Sequence, residues 1–246
     1  MEENKNETSS RGNDKMLPAS IIIAAVLIMV GLVYNAGKKD LSAGNQANQL
    51  AAAQNQPTQE TGSPEKVRAF SKEDHVLGNP NAPVKFIMFS DFECPYCKTF
   101  HETVKKLSTE YEGRVAFVFR QFPMHSKSGT EAVATECAAS FGGSEKFWAF
   151  ADEIFATTPS NDGLDLAQLP KIAVKLGFDE AAFNTCLKSG KFEDRIKADM
   201  KDASAAGLQG TPYTVIVAPS GNVITVNGAY PYEAVKEKIE QALKLK

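Results

Sequence analysis

Two cysteines separated by two residues, Cys94 and Cys97, follow directly on the apolar run of residues 84–89. A strand-to-helix junction here would place the first sulfur where the free amide groups of the helix converge. Because those amides and the helix dipole stabilise an anion, we expect a Cys94 thiolate, with a pKa well below the free-cysteine value of about 8.5. The thiolate is the form that attacks disulfides, so the pair predicts a redox site in which Cys97 is the more buried sulfur.

The cysteine pair has two alternative uses. With His101 it forms Cys-x2-Cys-x3-His, which could be half a zinc site, but a structural zinc site needs four ligands. Cys137 and Cys186 stand apart from each other, each in a helical pattern, and supply no second pair of that kind. A purely structural disulfide is disfavoured because a two-residue ring closes almost no loop. Pro95, which needs no amide partner in the first helical turn, fits a helix that begins at once.

The composition describes one folded domain with extensions. The chain has 246 residues, 43% of them hydrophobic, which is enough for one good-sized core. Its net charge of -3 favours neither nucleic acid nor an acidic substrate as a partner. Residues 1–16 are polar and predicted to be disordered. Residues 37–66, rich in Ala, Gln, Asn, Ser and Gly, are predicted to be a flexible linker, followed by a folded domain over residues 67–246.

Residues 17–36 lack charge up to Tyr34 and contain the apolar run 21–30, which is long enough to cross a bilayer as a helix. We predict a single membrane anchor. A cleaved signal peptide and a buried core helix are the alternatives, and the first is disfavoured because no clean small-x-small cleavage site follows. The distribution of Lys and Arg around the segment mildly favours a cytoplasmic N-terminus and an extracytoplasmic domain.

The pattern of the folded domain predicts an α/β fold. A buried strand over residues 84–90, a helix from Cys94 to about Glu110 and a strand over 114–120 form a βαβ unit with parallel strands. Residues 126–207 carry helical signals only and are predicted to be an all-helical insertion. Strands over 213–217 and 223–226 and a final helix from about Tyr232 complete a ββα unit.

Four short segments carry a resemblance to a known family: residues 78–84 (Gly-Asn-Pro-Asn-Ala-Pro-Val), residues 89–98 (Phe-Ser-Asp-Phe-Glu-Cys-Pro-Tyr-Cys-Lys), Phe122-Pro123 and Gly210-Thr211-Pro212. With the order of elements, they resemble the DsbA-like thiol:disulfide oxidoreductases of the thioredoxin fold, from about Asp74 to the end of the chain. The resemblance implies a thioredoxin fold with an all-helical insertion between the βαβ and ββα halves.

The resemblance also implies roles for individual residues. Cys94 matches the family's nucleophilic cysteine, Cys97 its resolving cysteine and Pro212 its cis-proline. Pro95 and Tyr96 complete the active-site motif, and Thr211 would offer backbone groups to an extended client chain, as in strand addition.

One position departs from the pattern. Many thioredoxin-fold proteins place a buried carboxylate six residues before the first cysteine, where it exchanges a proton with the resolving sulfur, and this chain has Met88 there. Glu93, Asp91 or His101 could transfer the proton instead. We expect Asp91 and Glu93 to face solvent as ordinary charges and His101 to be a packed or solvated helix residue. His125, at the start of the insertion, is a further site candidate.

Cys137 and Cys186 have two possible states. They could be buried thiols that behave as small hydrophobic residues. Because the cysteine count is even, the expected compartment is oxidising and some members of the family carry a second cysteine pair in the insertion, we favour a structural disulfide between them.

The sequence therefore predicts a membrane-anchored, extracytoplasmic thiol:disulfide oxidoreductase that needs no cofactor or metal. Its expected partners are reduced client proteins, with a quinone-linked membrane protein for re-oxidation implied by the resemblance. Because Pro95 and Tyr96 carry no cation, we expect a less oxidising site than in the most oxidising relatives. The alternatives are a disulfide isomerase or reductase and, in a different class, a peptide-binding holdase or zinc-binding module.

Overall fold

The computed structural model describes residues 62–246 of the chain. The predicted disordered N-terminus (1–16), the predicted anchor (17–36) and all but the end of the predicted linker (37–66) lie outside these residues. Within residues 62–246 no helix combines the length and the apolar character needed to cross a membrane.

The prediction of a structureless linker is wrong for its last residues. The Ser63 amide donates a hydrogen bond to the Ala205 carbonyl at 2.9 Å, and residues 64–66 form a 3₁₀ turn. Gly62 lies so close to Gly207 that an added Cβ would come within 2.3 Å of its backbone nitrogen. Because this contact is made by backbone groups, no apolar pattern in the sequence predicts it.

A five-stranded mixed sheet forms the centre of the domain, in the order β1-β3-β2-β4-β5. Its strands are β1 (His75–Leu77), β2 (Val84–Ser90), β3 (Val115–Gln121), β4 (Tyr213–Val217) and β5 (Val223–Asn227). β2 and β3 are parallel, and every other pair is antiparallel. β2 and β3 are the most buried strands, as their nearly continuous apolar sequences predict.

Six helices accompany the sheet within the described residues: α1 (Pro95–Glu110), α2 (Ser128–Thr157), α3 (Gln168–Lys175), α4 (Glu180–Leu187), α5 (Glu193–Ala205) and α6 (Tyr232–Lys244). α1 connects the parallel strands β2 and β3, and α6 follows β5, so the predicted βαβ and ββα halves are confirmed. Helices α2 to α5 form the predicted all-helical insertion between them. α2 is interrupted at Gly142 and Gly143, where Gly143 has a φ of 68° that glycine adopts readily.

Two covalent or ionic links hold the helices in place. Cys137 in α2 and Cys186 in α4 are joined by a disulfide with an S–S distance of 2.01 Å. Arg120 of β3 is fully buried and paired with Asp74 and Asp202, at 2.8 and 2.5 Å. This buried cation therefore connects the segment before β1, the sheet and α5.

Candidate active site

The two cysteines lie at the start of α1, directly after β2. Cys94 is the N-cap residue of the helix, Pro95 is its first residue, and Cys97 lies in the first turn. Both are free thiols in this structure. Cys94 is 6% exposed and Cys97 only 1%, so an external reactant can reach Cys94 first.

The two sulfurs differ strongly in acidity. A hydrogen bond from the Cys97 thiol, followed by one from Thr211 and by the amides of Cys97 and Tyr96, lowers the pKa of Cys94 from 9.0 to about 5, against the effect of burial. Burial, together with the neighbouring Cys94 thiolate, raises the pKa of Cys97 well above 9.0. The Asp91 amide donates a hydrogen bond to the Cys97 sulfur at 3.5 Å. At neutral pH the reduced site therefore holds one thiolate and one thiol.

A loop from the far end of the insertion faces Cys94. The Thr211–Pro212 peptide bond is cis, and the Thr211 carbonyl oxygen lies 3.4 Å from the Cys94 sulfur. The Thr211 hydroxyl lies 3.9 Å from the sulfur of Met124. Met124, which contacts Thr211, is 55% exposed, and Tyr96, two residues after Cys94, is 67% exposed, so both side chains are available to an external partner.

Asp91 is buried, at 1% exposure, and the expectation that it faces solvent is wrong. One carboxylate oxygen accepts hydrogen bonds from the amides of Met124 and His125, at 2.5 and 3.0 Å, from His125 Nδ1 at 3.0 Å and from the Ser128 hydroxyl at 3.2 Å. The other accepts a bond from the Glu93 amide at 2.7 Å. These donors replace water around the carboxylate, which is what permits its burial. Asp91 thereby holds the segment 124–128 against the active-site turn.

Glu93, next to Cys94, has no exposed surface, so the same expectation is wrong here as well. Its carboxylate accepts three hydrogen bonds from the loop of residues 158–164: from the Thr158 hydroxyl at 2.9 Å and from the amides of Gly163 and Leu164 at 2.9 and 3.2 Å. Its carbonyl accepts a bond from the Asn161 amide at 2.7 Å. Three consecutive residues of this loop have positive φ angles, Ser160 (71°), Asn161 (56°) and Asp162 (62°). Glu93 therefore stabilises a backbone conformation that non-glycine residues rarely adopt.

A second buried carboxyl group, Glu131 of α2, accompanies Glu93. Within residues 62–246, no N–H or hydroxyl group donates to either oxygen of Glu131. Burial, together with its contact with the Glu93 carboxylate, raises the pKa of Glu131 to about 9. The pKa of Glu93 is lowered by bonds from Glu131, Thr158 and the loop amides, although burial, the largest single effect, opposes this. At neutral pH Glu131 is therefore protonated and neutral next to the ionised Glu93 carboxylate.

The remaining sequence-predicted residues have other contacts. His101 Nε2 bonds to Asp152 at 2.6 Å, and its ring packs 4.6 Å from that of Phe155. Met88 is buried in the same apolar cluster as both cysteines. Neither Glu93 nor His101 hydrogen-bonds to a sulfur within the described part of the chain, and the proton-transfer role stays a prediction.

Sequence reasoning missed Glu131 and the loop of residues 158–164. A signal for Glu131 was present: Ser128, Glu131 and Thr135 share one face of α2 at helical spacing, amid alanines. Polar residues on a face that is otherwise apolar indicate a buried polar contact. The loop gave no comparable signal. Among residues 62–246, no group of three or more His, Cys, Asp and Glu side chains is placed to hold a metal ion.

Comparisons with known proteins agree with this architecture. The family model described as Thioredoxin matches residues 71–241. "Probable disulfide bond formation protein D" of Bacillus anthracis is 26% identical over 249 residues, which cover 95% of this chain and 99% of that protein. The crystal structure of oxidised BdbD from Bacillus subtilis matches with a TM-score of 0.62 and 26% identity, covering 75% of this chain and 97% of that one.

A further match is to part of a longer protein. The Na(+)/H(+) antiporter NhaA 1 of Mycolicibacterium gilvum (strain PYR-GCK) is 31% identical over 144 residues, which are 56% of this chain. The matched region is 22% of that antiporter, so this chain spans only a small share of its length.

Proposed function

Because the chain belongs to the thioredoxin family, with the fold of a DsbA-like thiol:disulfide oxidoreductase, we propose that it oxidises cysteine pairs of other proteins through Cys94 and Cys97. The observation that carries this proposal is the asymmetry of the pair. Cys94 is the more exposed sulfur and has a pKa lowered to about 5, while Cys97 is buried with a raised pKa. Stabilising the Cys94 thiolate stabilises the reduced protein, which makes the disulfide form an oxidant.

The reaction begins with the Cys94–Cys97 disulfide. A client thiolate attacks the Cys94 sulfur, the Cys94–Cys97 bond breaks, and Cys97 leaves and takes up a proton. A second client thiolate then attacks the client sulfur of the mixed disulfide and releases Cys94 as a thiolate. The client dithiol becomes a disulfide and the protein disulfide becomes a dithiol, so electrons balance. Because a thiol of low pKa leaves readily, the second step favours release of the oxidised client.

Client binding is assigned to the rim around Cys94. The Thr211 carbonyl is already within 3.4 Å of the Cys94 sulfur, so a client strand that paired with the backbone at Thr211 and Pro212 would approach the reactive bond. The exposed side chains of Tyr96 and Met124 offer apolar contact to an unfolded segment. Pro95 shapes the turn between the two cysteines.

The proposal includes location and recycling. The domain is extracytoplasmic, held at the membrane by residues 17–36, and its clients are reduced secreted or surface proteins. A quinone-linked membrane partner re-oxidises it. The Cys137–Cys186 disulfide supports an oxidising compartment, since structural disulfides persist mainly there.

The test is stoichiometric oxidation of a reduced dithiol peptide by the oxidised full-length protein. One peptide disulfide per protein molecule is expected, and none with Cys94→Ser or Cys97→Ser, because neither variant can form the active-site disulfide. Peptide oxidation that persists in Cys94→Ser would exclude the mechanism. Peptide binding without oxidation in the wild-type protein, or zinc removable only by a chelator, would favour the binding-module alternatives.

A further inference from the structure

His125 comes 31 positions after Cys94 in the chain, but it is bonded to Asp91 in the turn before the redox pair, and the charges of His125 and Cys94 interact. Its amide and its Nδ1 both bond to Asp91, three residues before Cys94. Its neighbour Met124 contacts Thr211, whose carbonyl oxygen faces the Cys94 sulfur. The side chain is 28% exposed, so the ring is partly accessible to solvent.

We propose that His125, held by Asp91, supplies the positive charge that stabilises the Cys94 thiolate, a charge that the Pro95-Tyr96 dipeptide does not carry. This inference rests on the proposed redox function and specifies what sets its oxidising strength. His125 does not contact the client. It is a positioning residue whose charge acts on the client only through the Cys94 thiolate. The positively charged residue, His125, therefore belongs to the start of the helical insertion and not to the turn between the cysteines.

The charges around His125 favour its protonated form. A hydrogen bond to Asp91 is the largest effect that raises the pKa of His125 above 6.5, and the charges of Asp91, Asp162 and Cys94 raise it further, against partial burial. Asp91 alone, a buried carboxylate three residues before Cys94, would oppose a second negative charge nearby. Protonated His125 neutralises Asp91 and attracts the thiolate.

The coupling between His125 and Cys94 is reciprocal. If the imidazolium stabilises the thiolate, the thiolate must stabilise the imidazolium by the same free energy. Formation of the Cys94–Cys97 disulfide removes the thiolate. His125 should therefore bind its proton more tightly in the reduced protein than in the oxidised protein, and reduction should be accompanied by partial proton uptake at this ring.

The experiment compares His125→Gln, which keeps an N–H donor for Asp91, with His125→Lys, which keeps a cation. The thiolate absorbance of the reduced full-length protein is titrated with pH, and the redox equilibrium with glutathione is measured at pH 6, where His125 is charged. In His125→Gln we expect the Cys94 pKa to rise by about one unit and, at pH 6, the equilibrium to shift about fivefold toward the oxidised protein. His125→Lys should have a Cys94 pKa and a glutathione equilibrium close to those of the wild-type protein. Lys106→Gln, which removes an exposed α1 cation far along the helix, should leave both unchanged.

A second readout is independent of these substitutions. NMR titration of the His125 ring should give a higher pKa in the reduced protein than in the oxidised protein, and no such difference in Cys94→Ser. An unchanged Cys94 pKa in His125→Gln, or equal His125 titrations in the two redox states, would overturn the inference. Failure of the wild-type pair to exchange with glutathione would instead contradict the proposed function.

Discussion

The carbonyl oxygen of Thr211 lies 3.4 Å from the sulfur of Cys94, although 117 residues separate them in the chain. The sheet fixes this contact. Cys94 follows β2 and Thr211 precedes β4, and these strands pair antiparallel with Phe89 opposite Tyr213. Whatever backbone binds beside Thr211 is therefore presented to the one sulfur that is both acidic and accessible.

The first prediction concerns the acidity of Cys94. Because its pKa is lowered to about 5, alkylation of the reduced protein by iodoacetamide should modify Cys94 with a rate that rises through a midpoint near that pH. The buried Cys97 should stay unmodified up to pH 8, since its pKa is raised. Mass spectrometry of the modified peptides distinguishes the two sites. A midpoint for Cys94 above pH 8 would contradict the electrostatic account.

The second prediction concerns Glu93 as the support of the loop of residues 158–164. Glu93→Ala leaves the amides of Gly163 and Leu164 and the Thr158 hydroxyl without their acceptor, and should lower the free energy of unfolding by at least about 2 kcal/mol. Hydrogen exchange at Gly163 and Leu164 should accelerate. Glu102→Ala, on the exposed face of α1, is the matched control and should have little effect. Equal stability of the two variants would remove Glu93 from this role.

The third prediction concerns the proton on Glu131. Its folded-state pKa of about 9 lies above the ordinary 4.5, so the folded protein binds more protons than the unfolded chain between these values. Stability should therefore fall as the pH rises through this window, by up to about 1.4 kcal/mol per pH unit from this group. Glu131→Gln puts a neutral group of the same shape at this position and should flatten the dependence of stability on pH. Urea unfolding at pH 5, 7 and 9 gives the free energy of unfolding at each pH. The same change with pH in the wild-type protein and in Glu131→Gln would refute a protonated Glu131.

The fourth prediction concerns the disulfide between α2 and α4. Cys137 and Cys186 are 49 positions apart, and opening a loop of this length should lower stability by about 4 kcal/mol in the loop-entropy model. The double variant Cys137→Ala/Cys186→Ala should unfold at lower temperature and still oxidise a dithiol peptide while folded, because Cys94 and Cys97 carry the exchange. Loss of exchange in a folded double variant would show that the second pair takes part in the reaction.

The strands and helices of the domain were predictable because their sequences are locally consistent. The apolar runs predict β2, β3 and β4, and the Cys94-Pro95 pair predicts the start of α1. The observed β3 begins and ends one residue after the predicted strand. The position of Thr211 beside Cys94 came from the family resemblance, since nothing local in Gly210-Thr211-Pro212 indicates a partner so distant in the chain.

The charged residues of the site were not predictable in the same way. Asp91 and Glu93 look like surface residues because the sequence around them offers few donors; the Glu93 amide, which bonds to Asp91, is a local one. Their other donors come from segments 33 to 71 positions later in the chain, among them Met124 and Leu164. Only the fold brings those amides to the carboxylates, and only then does burial become favourable.

The redox midpoint of the Cys94/Cys97 couple tests the central claim most directly. The full-length protein is equilibrated with glutathione buffers at pH 7, and the two thiols are trapped and counted by mass. A thiolate stabilised as described predicts a midpoint nearer the value of about -120 mV for DsbA than that of about -270 mV for thioredoxin. A midpoint at or below the thioredoxin value would contradict an oxidising function for this site.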